Sequence, residues 1–262
     1  MSLRAGVNRV LTKTTGYRLV RAAPPAPAPA RRSMPADYDQ NAREIWELVR
    51  DRTMTGHPKV HFLTEAVRYV VRCGVPGAML ECGVWRGGSM LTVAHMLLRL
   101  GVTDRDLYLF DTFTGMTEPT ERDQHVFAGR SAEAMLAART GAPIWQPATL
   151  EDVQAGFTGM DYPAERLHFV PGKVEDTIPE AAPDQIAILR LDTDWYESTK
   201  HEFTHLYHRL APGGVLIIDD YGSWQGSKDA TDEFLDETGE PLLLVRVGRG
   251  RVAVKPGLKS TV

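Results

Sequence analysis

The sequence predicts an α/β fold, with a doubly wound, mostly parallel sheet of seven strands flanked by helices. Two observations carry this prediction. Segments with the composition of strands alternate with segments whose apolar residues recur every three or four positions, as on one face of a helix. In addition, the first, fourth and fifth strand-like segments are apolar runs rather than alternating patterns, which is typical of strands buried on both faces of a parallel sheet.

Helical spacing appears first at Ala42, Ile45, Trp46 and Val49, and again over residues 60–73. The strands are then predicted at 78–84, 107–110, 167–170, 186–191, 215–218, 242–247 and 252–254. Further helices are predicted at 89–100, 198–210 and 228–237. The last two strands lie close together in the chain, so they are expected to pair as a hairpin.

One connection is much longer than the rest. Residues 113–166, named here the insertion, separate the second and third strands, whereas such connections usually have about 2–6 residues. We expect the insertion to be a lid, because it contains the apolar residues Phe127, Met135, Leu136, Trp145, Phe157 and Tyr162. The predicted organisation is therefore one domain over 37–262, with N-terminal helices at 37–75 and the insertion within it.

Composition excludes several classes of protein. The chain has 262 residues, of which 43% are hydrophobic and 24% charged, so it is neither largely disordered nor collagen-like. No apolar run approaches the roughly 18 residues of a membrane-spanning helix, which argues against stable membrane insertion. The two cysteines, Cys73 and Cys82, cannot form a disulfide framework or a four-cysteine zinc site. A reducing cytoplasm is the expected location.

Charge is unevenly distributed. Residues 1–36 contain seven basic residues and no acidic residue, and residues 22–30 read A-A-P-P-A-P-A-P-A. This part is predicted to be a loosely ordered basic, Ala/Pro-rich extension, with a membrane-touching helix or a transit peptide as alternatives. The remaining chain is acidic, which argues against nucleic acid as a partner.

A Gly-rich turn, E-C-G-V-W-R-G-G-S at 81–89, joins the first strand to its helix. Glycines allow close approach of a ligand to the backbone. A dinucleotide site would need a second glycine where Trp85 stands. The turn suits S-adenosylmethionine (SAM) better, because SAM needs no phosphate cradle and Glu81 can bind its ammonium group. Asp111, which ends the second strand, could accept hydrogen bonds from the ribose hydroxyls. Ordinary turn chemistry is the alternative.

Carboxylates follow two neighbouring strands, at Asp192, Asp194, Asp219 and Asp220. Ligands bind beyond the carboxyl ends of such strands, so the acids and the Gly-rich turn should face one crevice. Oxygen ligands favour Mg²⁺ or Mn²⁺ over zinc, and such an ion lowers the pKa of a hydroxyl group that becomes a nucleophile. Alternatively, Asp194 or Asp220 caps the next helix.

Residues 201–205 match H-E-x-x-H, the zinc protease motif. Its context argues against that function, because the helix leads away from the crevice. The apolar face of the helix comprises Phe203, Leu206, Tyr207 and Leu210, so the opposite, solvent-facing side is expected to carry His201, His205 and His208.

These segments together resemble the macrocin O-methyltransferase (TylF-type) family, whose members methylate sugar hydroxyls of macrolide and aminocoumarin antibiotics with SAM and Mg²⁺. The resemblance covers about residues 52–256. It rests on T-M-T-G at 53–56, the Gly-rich turn, F-D-T-F-T-G at 110–115, L-R-L-D-T-D-W-Y-E-S-T at 189–199, P-G-G at 212–214 and I-D-D-Y at 218–221.

The resemblance implies a Rossmann-like class I SAM methyltransferase that forms dimers or tetramers, has a mobile lid and takes a small glycoside as substrate. It implies Asp192, Asp219 and Asp220 as metal ligands, and Asp192 or Asp194 as the base. The implied SAM contacts are Thr53, Met54, Glu81, Gly83, Trp85, Ser89, Asp111 and Gly115, continued by Ser131, Lys173 and Val174.

The sequence thus predicts a SAM- and Mg²⁺-dependent O-methyltransferase, with Mn²⁺ as a possible substitute. The predicted acceptor is a sugar hydroxyl of a glycosylated natural product such as a macrolide or aminocoumarin antibiotic. Two alternatives are an NAD(P)-dependent oxidoreductase on the same fold and a non-catalytic, membrane-associated domain.

Overall fold

Seven strands form one sheet in the computed structural model, which describes residues 12–14, 34–127, 129–139 and 147–257. The strands are β1 (Ala78–Cys82), β2 (Leu107–Asp111), β3 (Leu167–Pro171), β4 (Ile186–Leu191), β5 (Leu210–Ile218), β6 (Val245–Val247) and β7 (Gly250–Val254). Their order across the sheet is β3-β2-β1-β4-β5-β7-β6. The first five are parallel, whereas β7 is antiparallel to both β5 and β6. The predicted doubly wound sheet with a terminal hairpin is confirmed.

Helices cover both faces of the sheet. They are α1 (Gln40–Val49), α2 (His57–Arg72), α3 (Gly88–Arg99), α4 (Ala132–Arg139), α5 (Leu150–Phe157), α6 (Val174–Thr177), α7 (Tyr196–Leu206) and α8 (Gln225–Thr238). Side chains that alternate along a strand enter two different cores. Met79 packs in the core that α1, α2 and α3 share, whereas Leu80 packs in the core that contains Phe203 of α7.

The two central strands are buried along their whole length, as expected for a parallel sheet. Each nevertheless contains a charged residue, Glu81 in β1 and Arg190 in β4. Contrary to the prediction, neither strand is therefore continuously apolar. The register places Glu81 beside Arg190. A buried charge is stable only when it is paired, and this register pairs the two.

Several element ends differ from the prediction. β1 stops at Cys82 because Gly83 takes a φ of 82° and turns the chain. α7 begins at Tyr196 rather than 198, since Asp123 accepts its backbone N–H, and a 3₁₀ turn replaces the last predicted helical turn. β6 begins at Val245 rather than 242, because the Leu242 amide is used in a turn with the Glu240 carbonyl.

The insertion contains two helices that the sequence did not predict, α4 and α5. Val153 and Phe157 of α5 pack in the first core. Met135 of α4 belongs to a small cluster with Trp195 and Trp224. Predicted lid residue Trp145 lies outside the described residues.

The chain divides into two units after Pro35. In the first unit the structure describes a helical turn over residues 12–14 and the two residues before the division. The Ala/Pro-rich stretch and most of the basic extension lie outside the described residues. None of the helices that the structure describes is long and apolar enough to cross a membrane.

Candidate active site

A cavity of about 540 Å³ opens where β1, β2, β4 and β5 end. This edge includes the β1/β4 pair, from which the strand order runs outward in both directions, and such a switch point is the usual ligand site of a doubly wound sheet. The predicted site residues that line the cavity are Thr53, Met54, Glu81, Gly83, Trp85, Ser89, Asp111, Gly115, Lys173, Val174, Asp192, Asp194, Asp219 and Asp220. Ser131 does not line it. The Ser131 hydroxyl accepts the Ala134 N–H at 3.2 Å, at the start of α4.

The Gly-rich turn packs directly against the end of β4. A Cβ atom at Gly83 would lie 2.0 Å from the Asp192 carbonyl oxygen, so no other residue fits without moving the backbone. A Cβ atom at Gly88 would likewise lie 2.6 Å from the Arg52 carbonyl oxygen. These contacts bring the Thr53 segment and the acidic segment after β4 to the same turn.

Asp111 has a second use besides the predicted contact with ribose. Its Oδ2 accepts the backbone N–H groups of Val84 and Trp85, at 2.6 and 3.0 Å, and its Oδ1 accepts that of Phe113 at 2.8 Å. The carboxylate therefore ties the Gly-rich turn to the end of β2. These contacts hold the turn in shape.

Glu81 fits the ammonium group of SAM. Its side chain is almost fully buried, and its Oε2 has no hydrogen-bond partner among the residues described. A buried carboxylate oxygen without a partner is costly, and a ligand cation would supply the missing interaction. Burial raises the pKa of Glu81 to about 7, although the Arg190 charge lowers it.

An acidic cluster lies beside this turn. One oxygen of each of Asp192, Asp219 and Asp220 lies within 4.8 Å of the others. Asp220 Oδ2 is buried and has no hydrogen-bond partner in the described part of the chain. Three carboxylates and an unpartnered oxygen fit a hard divalent cation, so the residues present suit Mg²⁺ or Mn²⁺.

Two cations that the sequence analysis missed balance this cluster. Arg190 Nη1 donates to Glu81 Oε1 and to Asp192 Oδ2, both at 2.5 Å, and its Nη2 donates to Asp219 Oδ1 at 2.7 Å. Lys59 forms an ion pair with Asp219 Oδ2. Burial opposes ionisation of Asp219, but Arg190 and Lys59 outweigh it and lower its pKa.

A signal for Arg190 was present in the sequence. An arginine inside an apolar strand must pair with acids, and Arg190 shares a strand face with Asp192, two residues later. No comparable signal marks Lys59, which reaches the cluster from the first turn of α2. A carboxylate oxygen has more than one lone pair, so Asp219 can accept from these cations and still ligate a metal.

Asp194 is held in an unusual conformation. Its φ of 67° lies in the left-handed region, which is uncommon for residues other than glycine. Burial, and then the Asp192 charge, raise the pKa of Asp194 to about 7, while hydrogen bonds with Asp220 and Trp224 oppose this rise. A carboxyl group with a pKa near neutrality can accept a proton and later release it.

The H-E-x-x-H motif supports the acidic segment instead of forming a separate centre. Glu202 is fully buried, and its Oε1 accepts the Thr193 hydroxyl at 2.9 Å, between Asp192 and Asp194 in the chain. His208 is exposed as expected, but His201 and His205 are half-buried. His201 is partly covered because its Nε2 contacts the Ile178 carbonyl oxygen at 3.0 Å.

The other side of the cavity is aromatic, which the sequence analysis did not foresee. Trp195 and Trp224 are buried, line the cavity and contact each other edge to face at 5.0 Å. His125, from the insertion, lies 5.4 Å from Trp224. Ser223 and Arg249 complete this wall. Aromatic side chains and a cation therefore line the same cavity as the Gly-rich turn and the acids.

Known proteins with similar sequences are O-methyltransferases. A model of the family described as Macrocin-O-methyltransferase (TylF) matches residues 17–248. The chain is 35% identical over 216 residues to the mycinamicin III 3''-O-methyltransferase of Micromonospora griseorubida, covering 82% of this chain and 83% of that protein. It is 34% identical over 182 residues to the demethyldecarbamoylnovobiocin O-methyltransferase of Streptomyces niveus, covering 70% and 67%.

Solved structures give the same result. The O-methyltransferase NovP superposes with a TM-score of 0.68 at 31% identity, covering 79% of this chain and 83% of that one. The calicheamicin methyltransferase CalS11 superposes with a TM-score of 0.55 at 21% identity, covering 82% and 91%, which supports the fold.

Proposed function

The chain belongs to the macrocin O-methyltransferase (TylF) family, and from this premise we propose that it methylates a sugar hydroxyl of a glycosylated natural product, with SAM as donor and Mg²⁺ as metal. Because the matching family consists of methyltransferases, we set aside the two alternatives, an oxidoreductase and a non-catalytic domain. The names of the curated relatives, which refer to mycinamicin and novobiocin compounds, support an antibiotic glycoside as the acceptor.

One observation carries the proposal. The Gly-rich turn and the acidic cluster meet in a single cavity, where Gly83 lies against the Asp192 carbonyl. A methyl donor on the turn and a hydroxyl at the acids would therefore be neighbours. Holding two reactants in the correct geometry removes a large entropic part of the barrier.

The chemistry is a displacement at the methyl carbon. The hydroxyl oxygen would attack the methyl carbon, the C–O bond would form as the C–S bond of SAM breaks, and S-adenosylhomocysteine would be the leaving group. The hydroxyl proton passes to a carboxylate oxygen of Asp192 or Asp194. Asp194, whose pKa lies near 7, is partly ionised at neutral pH and suits this role.

Asp192, Asp219 and Asp220 would hold the metal. When bound, Mg²⁺ supplies a Lewis acid that lowers the pKa of the acceptor hydroxyl and orients it. Arg190 and Lys59 outweigh the burial of Asp219, lower its pKa and keep it ionised, whereas burial raises the pKa of Asp192 and Asp220, whose ionised forms a bound cation would favour.

The activity is tested with the purified enzyme, SAM and a panel of macrolide and aminocoumarin glycosides, using mass spectrometry to detect the gain of one CH₂ group. We expect at least one glycoside to be methylated. Failure of the protein to bind S-adenosylhomocysteine in calorimetry would contradict the proposal.

Metal dependence gives a second prediction. The double variant Asp219→Asn, Asp220→Asn should lose methyl transfer by about 100-fold or more, because the ligands and their charge are removed. EDTA should silence the wild-type enzyme, and added Mn²⁺ should restore it. Asp236→Asn, on the exposed end of α8, is the control and should keep its activity. Undiminished transfer by the double variant in excess EDTA would eliminate the metal role.

A further inference from the structure

Arg249 is a cation of the cavity lining. It occupies the turn between β6 and β7, lines the cavity and is exposed. Among the residues that the structure describes, its guanidinium has neither a carboxylate partner nor a hydrogen bond, and its side-chain contact is with the Phe127 ring, 5.4 Å from the centroid.

The backbone of Arg249 is fixed. Its carbonyl accepts the Gly222 N–H at 2.9 Å, and a Cβ atom at Gly222 would lie 2.4 Å from the same oxygen. Gly222 follows the acidic residues at the end of β5 by two positions. The side chain of Arg249 therefore projects from a turn whose position relative to the acidic cluster is set by main-chain packing.

The other cations that line the described part of the cavity are differently placed. Lys59 is paired with Asp219. Arg52 donates to the carbonyls of Arg86 and Asp152. Lys173 lies after β3, on the side of the predicted SAM contacts. A positive charge is thus available to an acceptor at Arg249.

Two exposed apolar side chains lie at or next to the cavity, one of them beside this charge. Phe127 is 66% exposed and Met116, in the cavity lining, is 40% exposed. Exposed aromatic and methionine side chains next to a binding cavity favour an apolar ligand surface. A guanidinium next to an exposed aromatic ring offers hydrogen-bond donors beside an apolar surface, which suits a planar group with an anionic oxygen.

We propose that Arg249, next to the Phe127 ring, is a specificity-determining residue that binds an anionic oxygen of a planar, conjugated aglycone while the attached sugar reaches the acidic cluster. This inference rests on the proposed function. The aglycone would carry an acidic phenol or enol group. A sugar diphosphate fits less well, because it brings two charged phosphates and no planar apolar surface next to a single cation.

The test compares an acidic aminocoumarin glycoside with a neutral macrolide glycoside. Arg249→Gln should lower the ratio of their kcat/KM values, acidic over neutral, by about tenfold, through the KM of the acidic acceptor. Phe127→Leu should lower the same ratio by a smaller factor. Arg246→Gln is the matched control, since Arg246 is exposed on the same hairpin and donates to the Gly248 carbonyl.

Two results would overturn the inference: equal ratios for Arg249→Gln and Arg246→Gln, or an effect confined to a nucleoside diphosphate sugar. A binding measurement separates this inference from the proposed function. A free acidic hydroxycoumarin, titrated into the enzyme with S-adenosylhomocysteine bound, should bind the wild type about tenfold more tightly than Arg249→Gln. That difference tests Arg249 even if no glycoside is methylated, and its absence would reject the role of Arg249 alone.

Discussion

Arg190 connects carboxylates from three strands, because its guanidinium contacts Glu81 of β1 and two acids that follow β4 and β5. Removing one partner of a buried ion pair leaves an uncompensated charge. We expect Arg190→Met to lower the free energy of unfolding by about 3–5 kcal/mol in urea denaturation at neutral pH. Arg72→Met, at the exposed end of α2, is the control. Equal midpoints for the two variants would contradict this account of the cluster.

We expect Glu81 to make binding of the methyl donor depend on pH. Because burial raises its pKa to about 7, the folded protein holds a proton there that the unfolded chain releases at lower pH. This contribution to stability is complete below the ordinary pKa of 4.5 and is lost as the pH rises through about 7. The same ionisation creates the carboxylate that would bind the SAM ammonium.

Affinity for S-adenosylhomocysteine should therefore increase with pH. Between pH 6 and pH 8 the ionised fraction of Glu81 rises about tenfold, which sets the expected change. The measurement is calorimetry in EDTA, with Glu81→Gln as reference, since titration of the ligand affects both proteins equally. A constant ratio of the two affinities across this range would exclude Glu81 as the ammonium site.

Single residues also show what sequence reasoning can and cannot provide. Asp192, Asp219 and Asp220 were predictable, because each follows a strand whose carboxyl end must face the crevice. Lys59 was not, because its contact with Asp219 spans 160 positions in the chain. The aromatic wall was missed for a similar reason, since Trp195 and Trp224 meet across two separate loops.

At the scale of elements, the first part of the insertion is anchored to the segments that follow β4 and β5. Asp123 is fully buried, accepts the Tyr196 N–H at 2.9 Å through Oδ1, and accepts the Thr120 N–H at 2.7 Å through Oδ2. A carboxylate at the start of α7 also interacts favourably with the helix dipole. Main-chain bonds from Val126 to Ser223 and from Gln225 to Gln124 extend the anchor.

Asp123→Ala should loosen this anchor. We expect the free energy of unfolding to fall by about 1–3 kcal/mol, because buried N–H groups lose their acceptor. Amide hydrogen exchange should accelerate in residues 117–127, and the acceptor KM should rise more than the SAM KM. Asp161→Ala, an exposed substitution within the insertion, controls for the loss of a charge. Unaltered exchange in this segment would show that other contacts hold it.

Strands with continuous apolar runs were easier to predict than the contents of the insertion. β5 can be recognised from its apolar run at 215–218, and β4 from a run that Arg190 alone interrupts, because burial on both faces imposes one kind of composition. α5 escaped prediction because it is only 8 residues long and its burial depends on the distant core that receives Val153 and Phe157. Helix propensity over such a short span is weak, and tertiary packing decides the outcome.

For the whole molecule, the described part of the second unit contains the entire sheet and all described residues of the cavity lining. Deletion of residues 1–36 should therefore change the affinity for S-adenosylhomocysteine by no more than about twofold. The melting temperature should stay within a few degrees, since a change of 1 kcal/mol in the free energy of unfolding shifts it by about 2–4 °C in a domain of this size. Calorimetry and thermal unfolding of the truncated and full-length chains check this. Aggregation or loss of binding on truncation would assign the extension a structural role.

The oligomeric state stays a prediction from the family resemblance, and light scattering after size-exclusion chromatography of the full-length chain measures it. The fold class could be predicted because strands that alternate with helices, joined by right-handed connections, form a doubly wound, mostly parallel sheet. The acceptor could not, since the groups that would contact it come from Phe127 and Arg249, which are remote in sequence.

The main-chain contact between Gly83 and the Asp192 carbonyl has an evolutionary consequence. It leaves no room for a side chain at position 83. Descendants of this scaffold can therefore scarcely alter this part of the cavity without displacing the acidic segment and losing catalysis. The exposed side chains at the rim of the cavity, Met116, Phe127 and Arg249, have no such constraint, because they come from the insertion and the last hairpin. Diversification toward new antibiotics would then proceed at the rim, and libraries that seek altered substrate range belong there.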